Sequence, residues 1–204
     1  MSKVVAELSM SLDGFVAGPN DNPDNGLGDG GKVLFDWYSN GDVDFPLPGT
    51  DMSFKISRAS AELLREDWYA IGAMVVGRRT FDIAHGWGGN PPGGGNCFVV
   101  THNVPQEWIK EGSPFTFITD GVESAIRRAK QVAGENNVSV GSANIAQQCL
   151  KAGLLDEIHV DLAPVLLGSG IPFFGNLGTQ QIKLEPILTV AGVGVTHLHF
   201  RVIT

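Results

Sequence analysis

Short apolar runs that alternate with helical patterns constrain the fold of this chain more than any other feature. The runs at residues 73–76, 97–100 and 115–118 are almost wholly apolar. Strands that are apolar on both faces are typical of the centre of a parallel sheet. An amphipathic helix is predicted between residues 118 and 138, with Asp120 as N-cap, Gly134 at its end and a buried stripe of Val122, Ala125, Ile126, Ala129 and Val132. A strand at 138–140 and a helix at 143–152 follow.

The last third of the chain has a different pattern. Apolar residues alternate with polar ones at 158–162 and again at 198–202, where the polar set includes His159, Asp161, His197, His199 and Arg201. This alternation predicts strands with one exposed face, at antiparallel edges of the sheet. Residues 53–71 have a helical pattern, with Phe54, Ala61, Leu64 and Trp68 near one face. We therefore expect a single α/β domain over residues 1–204, with a mostly parallel central sheet and antiparallel C-terminal edge strands.

The segment at about 19–51 is rich in Gly, Asn and Asp. A structureless stretch of this length is usually functional or mobile. Its residues 21–26 have a weak similarity to a calcium loop, but Lys32 stands where the loop needs a bidentate Glu. Cys97 and Cys149 are predicted to be buried free thiols, because two cysteines are too few for a zinc site or a disulfide framework. No metal site is predicted.

The charge and hydropathy of the chain exclude two classes of partner. The net charge is −8, whereas general nucleic-acid binding needs a basic surface. No run of about 18 apolar residues is present, so no membrane span is predicted. The first residues lack the apolar stretch of a secretion signal, and we expect a cytoplasmic protein. A small ligand that carries phosphate remains compatible, because it needs only a local cluster of donors.

Two strand-to-helix junctions could form such a cluster, at residues 75–81 and 138–144. Each places small or hydroxyl residues before a helix start, and the first adds Arg78 and Arg79. A surface turn at the first junction, and tight helix–strand packing at the second, explain the residues equally well. Neither junction has the G-x-G-x-x-G pattern, so a standard Rossmann site is disfavoured. Parallel α/β sheets bind ligands at the carboxyl ends of their strands, where both junctions lie.

The order of several motifs resembles the dihydrofolate-reductase-like superfamily. They are Ala6, Ser-Leu-Asp-Gly at 11–14, Val-Gly-Arg-Arg-Thr-Phe at 76–81, Gly-Ser-Ala-Asn at 141–144 and the segment 155–170. The first and last of the longer segments, Ser-Leu-Asp-Gly and Pro-Val-Leu-Leu-Gly-Ser-Gly, resemble the C-terminal reductase domain of the riboflavin-biosynthesis deaminase-reductase. The resemblance covers nearly the whole chain and implies a three-layer fold.

The resemblance also implies an NADPH site. The residues that it would place against the cofactor are Ala6, Gly77, Arg78, Arg79, Thr80, Thr101, His102, Gly141, Ser142, Ala143 and Asn144. Ala6 would lie near the nicotinamide, although ordinary core packing explains it too. Asp13 would help proton delivery or orient the substrate, or it is a turn former before Gly14.

The implied activity is hydride transfer from NADPH to a small heterocycle, most simply 5-amino-6-(5-phosphoribosylamino)uracil. Alternatives are a dihydrofolate or other pterin reductase, and a non-catalytic dinucleotide-binding dimeric module. Zinc deaminase and Gly-x-Ser-x-Gly hydrolase motifs are missing. The apolar segment 164–175 is either a loop that covers the core or, if it is exposed, a subunit contact. Because related reductase domains are dimeric, the resemblance leads us to expect a homodimer. Further expectations are solvated carboxylates at Glu62, Glu66 and Asp67, surface or substrate-facing guanidinium groups at Arg58 and Arg65, and a loop with His85 and Trp87 beside the pocket.

Overall fold

A computed structural model describes residues 2–179 and 181–203 of the chain. Its strands are β1 (Val4–Ser11), β2 (Phe15–Ala17), β3 (Val43–Pro46), β4 (Ser53–Ile56), β5 (Ile71–Gly77), β6 (Asn96–Val100), β7 (Phe115–Ile118), β8 (Asn137–Val140), β9 (Glu157–Ala163), β10 (Ile171–Pro172), β11 (Lys183–Ala191) and β12 (Thr196–Ile203). Its helices are α1 (Arg58–Tyr69), α2 (Arg78–Ile83), α3 (Val122–Ala133) and α4 (Ala143–Lys151), with 3-10 segments at Gly31–Ser39, His85–Gly89 and Gln106–Trp108. The ends of the predicted domain, Met1 and Thr204, lie outside the described residues.

Eight strands form one central sheet in the order β11-β12-β9-β1-β8-β5-β6-β7. The six strands from β9 to β7 pair in parallel, while β12 and β11 add antiparallel pairs at one edge. The apolar runs at 73–76, 97–100 and 115–118 lie in β5, β6 and β7, as predicted. The predicted class, an α/β fold with a mostly parallel sheet and antiparallel C-terminal edge strands, is confirmed.

Helices α3 and α4 cover one face of the sheet over the largest apolar core, which contains Val4, Ala6, Val75 and Val140. Two details of α3 differ from the prediction. Its N-cap is Gly121, and the Asp120 carboxylate accepts from Arg128 over 3.4 Å. Val132 is half exposed, and at 100° per residue Ala133 lies nearer the centre of the stripe and is buried instead.

Helix α1 and the 3-10 helix Gly31–Ser39 cover much of the other face, and here two predictions were wrong. The helix predicted over 53–71 begins only at Arg58, because Ser57 caps the first turn by accepting from the Ser60 amide. Residues Ser53–Ile56 instead pair with β3 as an antiparallel strand. The segment 19–51 is not structureless, since its Leu34, Trp37 and Phe45 are buried in the protein core.

The polar face of β9 and β12 is buried rather than exposed, which corrects a third prediction. Glu157, His159, Asp161, His197 and His199 are all less than 9% exposed. Register pairs β9 with β1 on one side and with β12 on the other, and α1 lies above. An alternating pattern shows that one face of a strand is polar. It does not show whether that polar face lies against water or against other polar groups inside the protein.

No helix among residues 2–179 and 181–203 is long and apolar enough to span a membrane.

Candidate functional site

A cavity of about 710 Å³ opens at the carboxyl ends of β5, β6, β7 and β8. Ten of the eleven residues expected at the cofactor line it: Gly77, Arg78, Arg79, Thr80, Thr101, His102, Gly141, Ser142, Ala143 and Asn144. They are far apart in the sequence and come together because parallel strands end at one edge of the sheet. The volume lies within the range of 300–1,000 Å³ that is usual for ligand pockets.

The two strand-to-helix junctions are joined through the hydroxyl of Ser142. The Gly77 amide donates to Ser142 Oγ over 3.0 Å, and that hydroxyl donates to Thr80 Oγ1 over 2.7 Å. Since Ser142 Oγ is used in this way, it caps no amide of α4. The first-turn amides of α4 have no intrahelical partner, and Ala143 and Asn144 lie at the cavity wall. Donors at a nine-residue helix start suit an anionic ligand group.

Gly77 and Gly141 are not required by the fold itself. A Cβ at either position would approach other protein atoms no closer than 3.5 Å, which is ordinary van der Waals contact. Both glycines line the cavity. Their lack of a side chain therefore leaves room for a ligand against the backbone, and the residues present fit a dinucleotide.

Both arginines of the first junction are anchored to the protein. Arg78 donates from Nε to Asp82 over 2.7 Å and from Nη1 to the Asn103 carbonyl over 2.8 Å. Arg79 donates from Nε to Asp21 Oδ2 over 2.9 Å and from Nη2 to Oδ1 over 2.6 Å. The Asp21 hydrogen bond raises the pKa of Arg79. A guanidinium has five N–H donors, so each arginine retains donors for a phosphate.

The segment that carries Asp21 forms one wall of the cavity, together with Gly26 and Leu27. It begins and ends at one place: the Gly18 amide donates to the Leu27 carbonyl over 2.8 Å, and the Asp29 amide to the Pro19 carbonyl over 2.7 Å. A Cβ on Gly18 would lie 1.9 Å from the Asp29 carbonyl oxygen, so only glycine fits this crossing.

Thr101 and His102 follow β6 and also line the cavity. Thr101 is buried and its hydroxyl donates to the Asn103 carbonyl over 2.9 Å, so it stabilises the turn. His102 is exposed at the cavity rim. The imidazole, rather than the threonine hydroxyl, is available to a ligand.

A second cavity of about 500 Å³ adjoins the first, and the two share Leu8, Leu27, Phe35 and Gly141. Its walls are largely aromatic and apolar, with Tyr38, Phe54, Trp68, Trp87, Leu47, Met52, Met74 and Val76. Glu7, Ser9, Ser139 and Asp161 add polar groups from the strands of the sheet. The buried Ser9 Oγ has no hydrogen-bond partner within the described residues. An apolar slot with a few converging polar groups is typical of a site for a flat heterocycle.

Glu7 is one of the two carboxyl groups that line this slot, the other being Asp161. Glu7 lies on β1 between β8 and β9. Burial, and then repulsion from Asp161 and Asp67, raises the pKa of Glu7 well above its ordinary value. Glu7 was not singled out from the sequence. One signal was available in the sequence. Both faces of a central strand are usually covered, so a charged residue within β1 indicates a buried carboxyl group.

Two predicted site residues lie apart from both cavities. Asp13 is exposed, accepts from Ser11 over 2.6 Å and receives the Leu167 and Gly168 amides over 3.1 and 2.7 Å. The Ser11 hydrogen bond, aided by these amides, lowers the pKa of Asp13. The geometry is that of a turn anchor. Ala6 is wholly buried in the apolar core, and Leu8 contributes to the cavity instead.

The buried polar layer contains an Asp-His-Ser arrangement. His197 lies 2.6 Å from Asp161 through Nδ1 and 2.8 Å from Ser60 Oγ through Nε2. Ser60 and His197 are both wholly buried, so no substrate reaches the hydroxyl and the arrangement is structural. Cys97 and Cys149 are buried free thiols, as predicted, and burial raises the pKa of each to about 12.

The remaining expectations have mixed outcomes. Glu62 and Glu66 are exposed as predicted, whereas Asp67 turns inward towards His159 and His199. Arg58 and Arg65 are exposed and line neither cavity. Trp87 does border the second cavity, and His85 contacts the Pro23 carbonyl at 3.1 Å.

The sheet order and the cavity at its carboxyl edge define a dihydrofolate-reductase-like fold. Dihydrofolate reductase from Enterococcus faecalis, solved with NADP(H), is 15% identical with a TM-score of 0.52, covering 99% of this chain and 97% of that one. A Shewanella sp. PV-4 protein named for riboflavin biosynthesis is 20% identical with a TM-score of 0.72, covering 99% of both chains. The riboflavin biosynthesis reductase Rib7 of Saccharomyces cerevisiae is 15% identical with a TM-score of 0.59, covering 99% and 90%.

Residues 2–197 match the family described as "RibD C-terminal domain", and the chain belongs to that family. Two curated relatives come from Bacillus subtilis (strain 168). YwjB is 36% identical over 89 residues, which are 44% of this chain and 49% of YwjB, about half of each. YyaP is 23% identical over 198 residues, 92% of this chain and 87% of YyaP. Both are described as uncharacterized proteins.

Proposed function

We propose that the chain is an NADPH-dependent reductase that passes a hydride to a small heterocycle. The observation that carries the proposal is the pair of adjoining cavities, one rich in backbone donors and the other aromatic with a single partly enclosed glutamate. NADP(H) in the dihydrofolate reductase and the reductase name of the yeast protein support it. NADPH, when bound, supplies the hydride at its nicotinamide ring.

The first cavity is assigned to the dinucleotide. Amides at the start of α4 and the remaining donors of Arg78 and Arg79 would hold its phosphates. His102 at the rim would meet the phosphate at the adenosine end. The nicotinamide would point towards Gly141, because that residue lies where the two cavities join.

The second cavity is assigned to the substrate. Its aromatic walls would hold a flat ring, and Ser9 Oγ would hydrogen-bond a ring edge. Glu7 would retain a proton in this apolar setting and give it to the substrate heteroatom as the neighbouring carbon receives the hydride. Closure by the aromatic groups would exclude water.

The lining of the second cavity bears on the choice of substrate. Among its described lining residues none is Lys or Arg, whereas Glu7 and Asp161 are acidic. A substrate phosphate that lay against this lining would have no cation beside it, which is costly where water is excluded. We therefore favour an unphosphorylated heterocycle, such as a pterin, over 5-amino-6-(5-phosphoribosylamino)uracil.

Steady-state NADPH oxidation with matched substrates tests this choice. The phosphoribosylaminouracil, its dephosphorylated form and dihydrofolate would be compared at equal concentrations. We expect the dephosphorylated form to have the higher kcat/KM of the first two. Preference for the phosphate ester would restore the riboflavin-type assignment. Tight NADPH binding without turnover of any of the three would favour the non-catalytic module.

Fluorescence quenching with NADPH and NADH tests the cofactor site. Removing one charge-assisted hydrogen-bond donor costs about 1.5–3 kcal/mol, so we expect Arg78→Ala to weaken NADPH binding by about 10- to 100-fold. Arg201→Ala is the control, because Arg201 pairs with Glu185 at the far edge of the sheet. Equal NADPH affinity in wild type and Arg78→Ala would remove Arg78 from the site.

A further inference from the structure

The buried polar layer contains a cluster outside both cavities. Asp67 on α1 approaches His159 Nδ1 with Oδ1 at 3.8 Å and His199 Nε2 with Oδ2 at 3.5 Å. His159 and His199 face each other across β9 and β12, with ring centroids 3.5 Å apart and planes 4° from parallel. Sheet register and α1 therefore bring three groups that can ligate a metal to one point.

The Nδ1 atom of His159 is buried at this point and lacks a hydrogen-bond partner among the described residues. His159 is 8% exposed, and its Nδ1 has no hydrogen-bond partner in the described part of the chain. The 3.8 Å separation from Asp67 is too long for a hydrogen bond. A buried nitrogen left in this state is costly unless a bound group occupies the space that it faces.

The separations match those of ligands on a small ion. Donor atoms on a tetrahedral ion with bonds of about 2.0–2.1 Å lie about 3.3–3.4 Å apart. The two imidazole–carboxylate separations of 3.5 and 3.8 Å are close to this value. Because each imidazole lone pair lies in its ring plane and the two rings are stacked in parallel, His199 has to turn about its Cβ–Cγ bond before both nitrogens can bind one ion. Two imidazoles and one carboxylate suit zinc and similar transition metals, whereas calcium and magnesium prefer oxygen ligands only.

The second nitrogen of His159 has the partner that metal-bound histidines usually have. His159 Nε2 lies 3.4 Å from Glu157 Oε2, and Glu157 in turn contacts Lys3 Nζ at 2.7 Å. A carboxylate on the far nitrogen fixes the tautomer that leaves Nδ1 free to ligate. The surroundings also favour a cation, since the carboxylates of Asp161 and Glu157 lie in the same buried layer.

From these contacts we propose that Asp67, His159 and His199 bind a divalent transition-metal ion, with zinc as the best match. Glu157 is a positioning residue that acts through His159. The proposal does not depend on the reductase assignment, because the three residues line neither cavity.

Calorimetric titration with zinc sulfate, after chelator treatment and dialysis of the whole chain, tests the proposal. We expect one ion per chain in wild type, and a loss of affinity of more than about 100-fold in Asp67→Asn and His199→Gln. Glu157→Gln should weaken binding by about 10- to 100-fold, the usual effect of changing a residue that hydrogen-bonds a metal-bound histidine. His85→Gln is the matched control, since His85 is an exposed histidine outside the cluster and should leave zinc affinity unchanged.

Anomalous scattering at the zinc edge from wild-type crystals gives a readout that needs no variant to fold. A peak between the three side chains supports the site. A peak elsewhere, no peak at zinc excess, or equal zinc affinity in wild type and folded Asp67→Asn would overturn it. The cluster would then be a polar network only.

Discussion

At the scale of single residues, the two acidic groups of β1 and its following turn have opposite environments. Glu7 is enclosed between neighbouring strands and an aromatic cavity, and burial raises its pKa. Asp13 is exposed and accepts three hydrogen bonds, which lower its pKa. Glu7 is therefore suited to keep a proton and to donate it in a reaction, whereas Asp13 is suited to stabilise a loop as a carboxylate.

Replacing Glu7 by Gln should impair turnover while leaving NADPH binding intact. Glutamine keeps the shape and hydrogen-bonding edge but has no proton to give, and general acid catalysis typically contributes about 10²- to 10⁴-fold. We expect kcat to fall by about 100-fold or more on whichever heterocycle the wild type reduces. Exposed Glu66→Gln is the control. An unchanged kcat in Glu7→Gln would assign proton delivery to another group.

Asp13 should make the fold sensitive to acid. Its pKa is lowered in the folded chain, so its stabilising effect is complete above the ordinary aspartate pKa of about 3.9. The effect is lost as pH falls through that value towards the lower folded-state pKa. Melting temperatures of wild type and Asp13→Asn should therefore differ most near neutral pH and converge in acid. A constant difference at all pH values would show that ionisation of Asp13 is irrelevant.

At the scale of elements, two hydrogen bonds connect the start of α4 to the start of α2. Ser142, at the start of α4, is 5% exposed and bridges the Gly77 amide and Thr80 on α2. The two junctions therefore cannot separate without breaking two partly buried hydrogen bonds. A ligand that contacts both junctions therefore binds to a preformed surface of the first cavity.

Removing the Ser142 hydroxyl should lower both the stability of the fold and the affinity for NADPH. Ser142→Ala leaves the Gly77 amide without its acceptor, at a cost of about 1–3 kcal/mol. Thr80→Val keeps the Gly77–Ser142 bond and should cost less. Urea unfolding would measure both losses, and NADPH titration should show a larger drop in affinity for Ser142→Ala. Equal losses in the two variants would contradict the bridging role.

Some elements and site residues could be predicted from sequence patterns, and others could not. The runs of β5, β6 and β7 were predictable because central parallel strands need apolar residues on both faces. Ser53–Ile56 was not, because a four-residue strand carries no periodicity that distinguishes it from the start of α1. Of the ten predicted residues that line the first cavity, eight could be singled out because the motifs at 76–81 and 141–144 carry them, and Thr101 and His102 because they follow a strand. Glu7 and the Asp67–His159–His199 cluster could not, since their proximity arises from sheet register and helix packing.

At the scale of the whole molecule, association remains a prediction. Leu166 is 68% exposed and Phe174 39% exposed within the apolar segment 164–175. Burial of such groups is worth about 25 cal/mol per Å² of apolar surface removed from water.

Sedimentation at micromolar concentration should give twice the chain mass. Leu166→Asp should shift the population towards the single chain, because a charge would be buried in the contact. Tyr69→Asp is the control, because Tyr69 is 78% exposed and lies outside the segment. A wild type that sediments as a single chain would contradict the prediction.

The crossing of Gly18 with Asp29 has a consequence for how this protein can diversify. A surface excursion whose two ends already touch can be lengthened, trimmed or exchanged for another without moving the scaffold to which it is attached, because closing a longer loop costs little extra entropy. The cavity wall with Asp21 and Leu27 is thus a replaceable module. Exchanging it would change the lining of the cavity and leave the sheet as it is.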